Sequence, residues 1–99
     1  MPEQRRIVAS DSVPKASWEV RRRRYGDRSW LVRRNDIYEL DPVTDAIWVA
    51  CVEQLTIEEM VRRVSDVSGA PTARALKATV NVLRQLEDLG FVELESAEE

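Results

Sequence analysis

The chain has 99 residues, of which 43% are hydrophobic, and its formal net charge is −3. This length suits one compact domain with a single core and is too short for a second domain. With no histidine and one cysteine, the chain lacks the ligands and bases of zinc sites, iron–sulfur clusters and Cys/His nucleophiles. We therefore expect no enzyme activity, no catalytic residue, no metal site and no cofactor.

The single cysteine, Cys51, bears on the compartment. A lone cysteine forms no intramolecular disulfide and fits a reducing environment, and its apolar neighbours predict a small buried side chain. No stretch has the apolar core of a signal peptide or the roughly 20 apolar residues of a membrane span. The sequence thus predicts a cytoplasmic protein that does not engage a membrane.

Charge is distributed unevenly along the chain. Residues 1–34 hold ten Arg and Lys against four Asp and Glu, whereas residues 35–99 hold five against fourteen. Such asymmetry favours a charged partner, or two partners of opposite sign, although solvated faces can also segregate by charge without a partner. Both interpretations stay open at this stage.

The N-terminal part of the chain contains an arm and a predicted sheet. Residues 1–15 are polar, include Pro2 and Pro14 and have no sustained period, which is typical of a flexible arm. Three short alternating segments joined by turn residues then predict an antiparallel meander. The predicted strands lie at Trp18 to Arg24, Arg28 to Arg34 and Ile37 to Leu40.

Helical periodicity begins after Asp41. Asp41 can cap a helix N-terminus, and Pro42 has the φ that the first helical position requires. Thr56 and Glu59 form a capping box that starts a second helix, and Gly69 can end that helix in the left-handed conformation. A third and longest helix, closed by Gly90, is predicted from the spacing of Leu76, Val80, Leu83, Leu86 and Leu89.

Three strands followed by three helices predict an α+β fold with segregated elements. Because Ser68-Gly69-Ala70-Pro71 joins the second and third helices, we expect a winged helix-turn-helix with a three-stranded antiparallel sheet at its N-terminal side. This single domain covers residues 16–94. Phe91 to Leu94 is predicted to form a last short strand or an apolar cover, and residues 95–99 form an acidic tail.

The run Arg21 to Arg24 is the main argument for nucleic-acid binding. Alternate residues of a strand face opposite sides, so the run cannot form one contiguous patch. The helix that would enter a DNA groove carries three basic residues against two acidic ones, which is a small positive excess. A winged-helix DNA-binding regulator is therefore the less favoured alternative.

The third predicted strand, Ile37-Tyr38-Glu39-Leu40, is a sheet edge without Lys, Arg, Pro or Gly. Exposed edges need protection against stray pairing, and the first strand has arginines that provide it. An undefended edge offers unpaired amides and carbonyls to an extended peptide that adds as a further strand. The alternative is that Phe91 to Leu94, or a second copy of the protein in a homodimer, covers this edge.

Several short segments follow one another in an informative order and spacing. They are Val13-Pro14, Trp30-Leu31-Val32, Tyr38-Glu39-Leu40-Asp41 with Ala46-Ile47-Trp48, Thr56-Ile57-Glu58-Glu59, and Leu83, Leu86 and Leu89-Gly90-Phe91-Val92-Glu93. Through them the chain resembles the PqqD-like proteins, or RiPP recognition elements. Two departures stand out: Val52-Glu53-Gln54-Leu55 replaces a frequent Asp-Gly, and Arg22 stands where an apolar residue is expected.

The resemblance implies a non-catalytic chaperone that binds the leader of a ribosomally synthesised precursor peptide. The leader would add as a strand in a groove walled by the third helix and be presented to a tailoring enzyme, such as a radical SAM enzyme, a cyclase or a leader protease, in PQQ-like or lasso-like biosynthesis. The basic sheet is an alternative place for that enzyme. The expected peptide-binding residues are Ile37, Tyr38, Glu39, Leu40, Leu76, Lys77, Val80, Asn81 and Arg84. For those on the helix, the alternatives are core packing and a solvated face.

Overall fold

The structure, a computed structural model, describes residues 12–94 and confirms the predicted α+β order. A three-stranded antiparallel sheet with its strands in chain order precedes three helices. A second, two-stranded sheet joins the two ends of the described chain. The strands are β1 (Lys15–Ala16), β2 (Arg21–Tyr25), β3 (Arg28–Arg33), β4 (Asp36–Leu40) and β5 (Val92–Glu93), and the helices are α1 (Pro42–Val52), α2 (Ile57–Ser68) and α3 (Thr72–Asp88).

Two-residue turns set the register of the three-stranded sheet. Gly26-Asp27 joins β2 to β3, and Arg34-Asn35 joins β3 to β4. Gly26 has a φ of 63°, which glycine adopts without a steric penalty. Because side chains alternate along a strand, one face of the sheet turns Leu31 and Leu40 into the core, where both are buried. The opposite face is turned toward solvent.

The first long strand starts later than predicted. Trp18 lies in a turn before β2, and 86% of its surface is exposed. Ser17 holds this turn, because its carbonyl accepts the N–H of Val20 at 3.3 Å and its hydroxyl accepts the N–H of Glu19 at 3.3 Å. The prediction that Trp18 begins the strand is therefore wrong.

Residues 12–15 belong to the predicted arm but lie against the domain. Strand β1 pairs with β5, and Pro14 is fully buried. The carbonyl of Ser12 accepts the N–H of Ile57 at 3.0 Å, which ties this segment to the start of α2. Packed structure thus begins before the predicted boundary. The rest of the arm and the predicted acidic tail at 95–99 lie outside the described residues.

The predicted caps of α1 and α2 are confirmed. The Asp41 carboxylate accepts the N–H of Thr44 at 2.7 Å, with proline at the first helical position. Thr56 and Glu59 exchange hydrogen bonds, since the Thr56 N–H donates to the Glu59 carboxylate at 2.8 Å and the Glu59 N–H donates to the Thr56 hydroxyl at 3.2 Å. Gly69 ends α2 with a φ of 75°. These caps satisfy backbone groups that a helix end otherwise leaves unpaired.

The turn after α1 is one of the two places where the sequence departs from the family resemblance, because Val52-Glu53-Gln54-Leu55 stands where Asp-Gly is frequent. Helix α1 ends at Val52, and Gln54 follows in the left-handed conformation with a φ of 64°. The N–H of Gln54 donates to the carbonyl of Cys51 at 3.0 Å, and the N–H of Leu55 donates to that of Ala50 at 3.0 Å. Gln54 therefore adopts the left-handed backbone conformation that glycine adopts most readily.

Helix α3 buries Leu83 and Leu86 as its leucine spacing predicts, but Ala75 and Thr79 complete the buried stripe instead of Leu76 and Val80. Leu76, by contrast, is 46% exposed, and Leu89 is also exposed. The small side chains of the buried stripe allow close approach of α3 to the other helices, and the Thr79 hydroxyl is satisfied by donating to the carbonyl of Ala75 at 2.7 Å. The buried residues of α3 are Ala75, Thr79, Leu83 and Leu86.

Candidate peptide-binding site

Strand β4 is an open edge of the three-stranded sheet. Among the described residues it pairs only with β3, so its other side has no strand partner. The segment that could have covered this edge, Phe91 to Leu94, contributes β5, and β5 pairs with β1 instead. The prediction of a short final strand is confirmed, and that strand leaves the β4 edge open.

The register shows which backbone groups of β4 face outward. Arg33 pairs with Asp36 across the two-residue turn, which makes them a hydrogen-bonded pair. Hydrogen-bonded and non-hydrogen-bonded pairs alternate along an antiparallel ladder, so Tyr38 and Leu40 direct their N–H and C=O groups to β3. Ile37 and Glu39 therefore direct theirs toward the open edge.

The side chains of β4 divide between the two faces of the sheet. Leu40 is buried in the core, and Tyr38, on the same face, contacts the ring of Phe91 edge-on with centroids 6.0 Å apart. Ile37 and Glu39 are exposed on the opposite face, where the Glu39 carboxylate accepts a hydrogen bond from Arg28 Nε at 2.9 Å. All four predicted strand residues thus lie on the edge strand, but only two present their side chains on the exposed face.

Arg33 ties the end of α3 to the β3–β4 hairpin. Its Nη1 and Nη2 donate to the carbonyls of Gly90 and Leu89, both at 3.1 Å. Its guanidinium also lies over the Phe91 ring, 4.7 Å from the centroid. These contacts satisfy carbonyls at the helix terminus and hold it beside the start of β4.

A cleft of about 480 Å³ lies at the other end of β4. It is bounded by the segment that leaves β4, by the end of α2 and by the middle of α3. Its predominantly apolar walls suit aliphatic side chains. The lining residues are Asp41, Pro42, Val43, Val67, Ser68, Ala78 and Val82.

Contacts at the two ends of β4 connect it with two points along α3, and the strand and the helix run in opposite directions between them. The start of β4 is held near Leu89, and its end leads into the cleft lined by Ala78 and Val82. The five residues of β4 span about 13 Å from first to last, and the chain from Ala78 to Leu89 rises about 16 Å at 1.5 Å per residue. We call the space between the β4 edge and this stripe of α3 the β4–α3 groove.

The groove side of α3 carries Ala78 and Val82, whereas Leu76 and Val80 lie on the other side. Successive helix residues are about 100° apart, so positions two apart point nearly in opposite directions. Neither Leu76 nor Val80 lines the cleft, and Leu83 is fully buried. Periodicity alone could not settle this, because both pairs have the same i, i+4 spacing.

The polar residues predicted on α3 have different positions relative to the groove. Lys77 and Asn81 are exposed one turn apart, and Asn81 adjoins Val82 at the rim. Arg84 is half-buried and lies further around the helix. Arg74, which the sequence interpretation did not include, is exposed one turn before Ala78 and adds positive charge to that rim.

Other classes of site have no counterpart in the described part of the chain. Residues 12–94 contain no cluster of His, Cys, Asp and Glu that could hold a metal ion. Cys51 is buried, and burial raises the pKa of its thiol to about 12. Within these residues, none of the helices has the length and apolar character needed to cross a membrane.

The fold and groove thus define a small α+β domain with an open sheet edge beside a helix. A family model described as coenzyme PQQ synthesis protein D (PqqD) matches residues 29–92, from β3 to the start of β5. This match covers more than half of the chain, and the protein therefore belongs to the PqqD family. No curated protein and no solved structure matches it.

Proposed function

We propose that this protein is a non-catalytic chaperone that binds the leader of a ribosomally made precursor peptide as an added strand in the β4–α3 groove. The open β4 edge carries the proposal, together with membership of the PqqD family. Ile37 and Glu39 direct backbone groups outward, and each hydrogen bond gained with a peptide contributes about 0.5–1.5 kcal/mol.

The wall of the groove is assigned to Ala78 and Val82 rather than to Leu76 and Val80. The first two line the cleft with Val43, and their small side chains leave space for an aliphatic residue of the bound peptide. In an added strand every second residue would face these side chains. The groove should therefore prefer a leader with alternating apolar residues.

The charges around the groove suit an acidic leader. Lys77 and Arg74 are exposed on α3, and Asn81 offers an amide at the rim. Two carboxylates near β4 are already engaged, because Asp36 contacts Arg33 at 3.5 Å and Asp41 caps α1. The peptide would then be presented to a tailoring enzyme, such as a radical SAM enzyme, a cyclase or a leader protease, in PQQ-like or lasso-like biosynthesis.

The test is calorimetric titration with the synthetic leader of a precursor encoded beside this gene. Ala78→Glu places a charge in the groove and should weaken binding about tenfold or more, whereas Leu76→Glu on the other side of α3 should leave affinity within about twofold. Circular dichroism checks that both variants fold. A loss of leader affinity only in Leu76→Glu would place the site on the other face of α3. Equal losses in both variants would contradict the assignment of the groove wall to Ala78 and Val82.

Two other outcomes would overturn the proposal. Tight binding of duplex DNA that weakens steeply with added salt, with no leader binding, would favour a DNA-binding regulator. Concentration-dependent dimerisation blocked by changes in β4 would show that a second copy occupies the edge.

A further inference from the structure

The outward face of the three-stranded sheet has a distinct mixture of basic and apolar side chains. Register places Arg21, Val32 and Ile37 in one row across the sheet and Arg23, Trp30 and Glu39 in the next. We call this surface, with the Tyr25 and Arg28 pair beyond it, the outer sheet face. It is separate from the core-facing side that carries Leu31 and Leu40.

Large apolar side chains are exposed on the outer sheet face. Ile37 is 70% exposed and Tyr25 is 71% exposed. The rings of Tyr25 and Trp30 contact each other with centroids 5.8 Å apart, and the Arg28 guanidinium lies 5.8 Å from the Trp30 ring centroid. These contacts hold the aromatic groups in place, so little side-chain freedom is lost when a partner covers them.

The face also has positive charge that the described part of the chain does not neutralise. Arg28 pairs with Glu39 at 2.8 Å, which cancels one charge of each sign. Arg21 and Arg23 are exposed and form no ion pair with any of residues 12–94. Arg, Tyr and Trp are the residue types most enriched where protein interfaces derive their affinity.

We propose that the outer sheet face docks an acidic, partly apolar segment of another protein. The partner's carboxylates would pair with Arg21 and Arg23, and its apolar side chains would cover Ile37 and Trp30. This inference does not rest on the leader-binding function, because the face lies outside the β4–α3 groove. Docking at this face would account for the basic N-terminal part of a chain whose net charge is negative.

Charge and composition favour a protein over nucleic acid at this face. Arg21 and Arg23 could neutralise two phosphates of a DNA backbone. The slope of log K against log salt would then be only about −1.8, much shallower than for proteins that make about 6–10 phosphate contacts. The exposed apolar side chains of Ile37 and Tyr25 offer a phosphate backbone no favourable contact, whereas apolar side chains of a protein segment can cover them. An acidic protein segment that carries apolar side chains matches both properties of the face.

The probe is a fluorescein-labelled 12-residue peptide in which Glu pairs are separated by single Phe or Leu residues. Anisotropy measures binding, and amide chemical shifts of the isotope-labelled full chain locate it. Arg21→Glu with Arg23→Glu should weaken binding about tenfold or more. The control, Arg62→Glu with Arg63→Glu on α2, changes net charge equally and should leave affinity within about twofold.

Binding of the Glu probe should shift amide signals of β2, β3 and Ile37, and replacing its Glu residues by Gln should weaken the binding measured at these residues about tenfold. If the charge-reversal variant does not fold, Arg21→Gln with Arg23→Gln, compared with Arg62→Gln and Arg63→Gln, tests the same point. The inference is overturned by no binding, by equal losses in the α2 control, by tighter binding of a 20-base-pair DNA duplex, or by shifts confined to α3. Shifts confined to α3 would mean that the probe binds in the β4–α3 groove and not on the outer sheet face. That result would contradict this proposal without contradicting the leader-binding function.

Discussion

Arg22 on β2 and Asp45 on α1 form a two-point ion pair that links the sheet to the first helix. Arg22 Nε donates to Asp45 Oδ1 at 2.6 Å, and Nη2 donates to Oδ2 at 2.9 Å. The side chains are 28% and 21% exposed, so the pair is partly shielded from water. The hydrogen bond from Arg22 to Asp45 raises the pKa of the guanidinium. The arginine that departs from the resemblance thus faces a charge within its own chain.

Removing one member of this pair should destabilise the protein. Asp45→Ala leaves the Arg22 guanidinium partly buried without its carboxylate, and we expect a cost of about 1.5–3 kcal/mol. Urea denaturation of the wild type, of Asp45→Ala, of Arg22→Leu and of the variant that carries both changes measures the coupling. Additive effects of the two changes would show that the pair contributes no coupling energy.

A proline in β4 should act differently at adjacent positions. Glu39→Pro removes an N–H that faces the open edge, so the fold should survive while leader affinity falls about tenfold. Tyr38→Pro removes an N–H that bonds β3 and should destabilise the sheet by about 1–3 kcal/mol, because the β3 carbonyl loses its donor. Glu39→Gln is the control, because it keeps the N–H and loses only the Arg28 ion pair. Unchanged leader affinity in folded Glu39→Pro would contradict strand addition.

Gly90 should be more sensitive to substitution than Gly26. Both have positive φ, 80° and 63°, but an added Cβ at Gly90 meets Arg33 Nη1 at 3.2 Å whereas one at Gly26 meets nothing within 4 Å. Alanine at either position should cost about 1–2 kcal/mol for the left-handed backbone. Gly90→Ala should cost more, because it also displaces Arg33 from the end of α3. Equal changes in Tm would show that the Arg33 contact contributes nothing.

The capping box of α2 should make stability depend on pH. The backbone N–H and the hydroxyl of Thr56 donate to the Glu59 carboxylate and lower its pKa from the usual value of a glutamate. Because the folded pKa is lowered, the stabilisation is present above the unfolded pKa and is lost as pH falls through the folded value. Wild type should therefore exceed Glu59→Gln in urea midpoint at neutral pH, and the gap should close in acid. A gap independent of pH would exclude the carboxylate as its source.

Cys51 should be inert while the protein is folded. Burial raises the pKa of its thiol to about 12, so almost no thiolate forms at neutral pH. Ellman's reagent at about pH 8 should not label the native protein, and unfolding in guanidinium chloride should expose one reactive thiol. Rapid labelling of the native protein would show that the region of α1 around Cys51 opens readily.

Local chemistry explains what could be predicted about the fold. Asp41, Pro42 and the Thr56–Glu59 capping box act through hydrogen bonds within a few residues, so their spacing is sufficient to place the starts of two helices. The position of Ile37 to Leu40 at a sheet edge could be predicted for the same reason, because tight turns impose a meander. The composition alone also argues against metal and redox chemistry, because the chain has no histidine and one cysteine.

Contacts between distant segments decided the rest. Leu76 with Val80 and Ala78 with Val82 have the same spacing, and only the packing of α3 against α1 and α2 turned the second pair to the groove. Arg22 acquired its partner 23 residues away. The sequence by itself thus determined the order of the elements and the caps of α1 and α2, whereas the pairing of β5 with β1 left the β4 edge open within the described residues. Only the tertiary structure determined which face of α3 lines the cleft at the end of β4, because that face depends on contacts with residues distant in sequence.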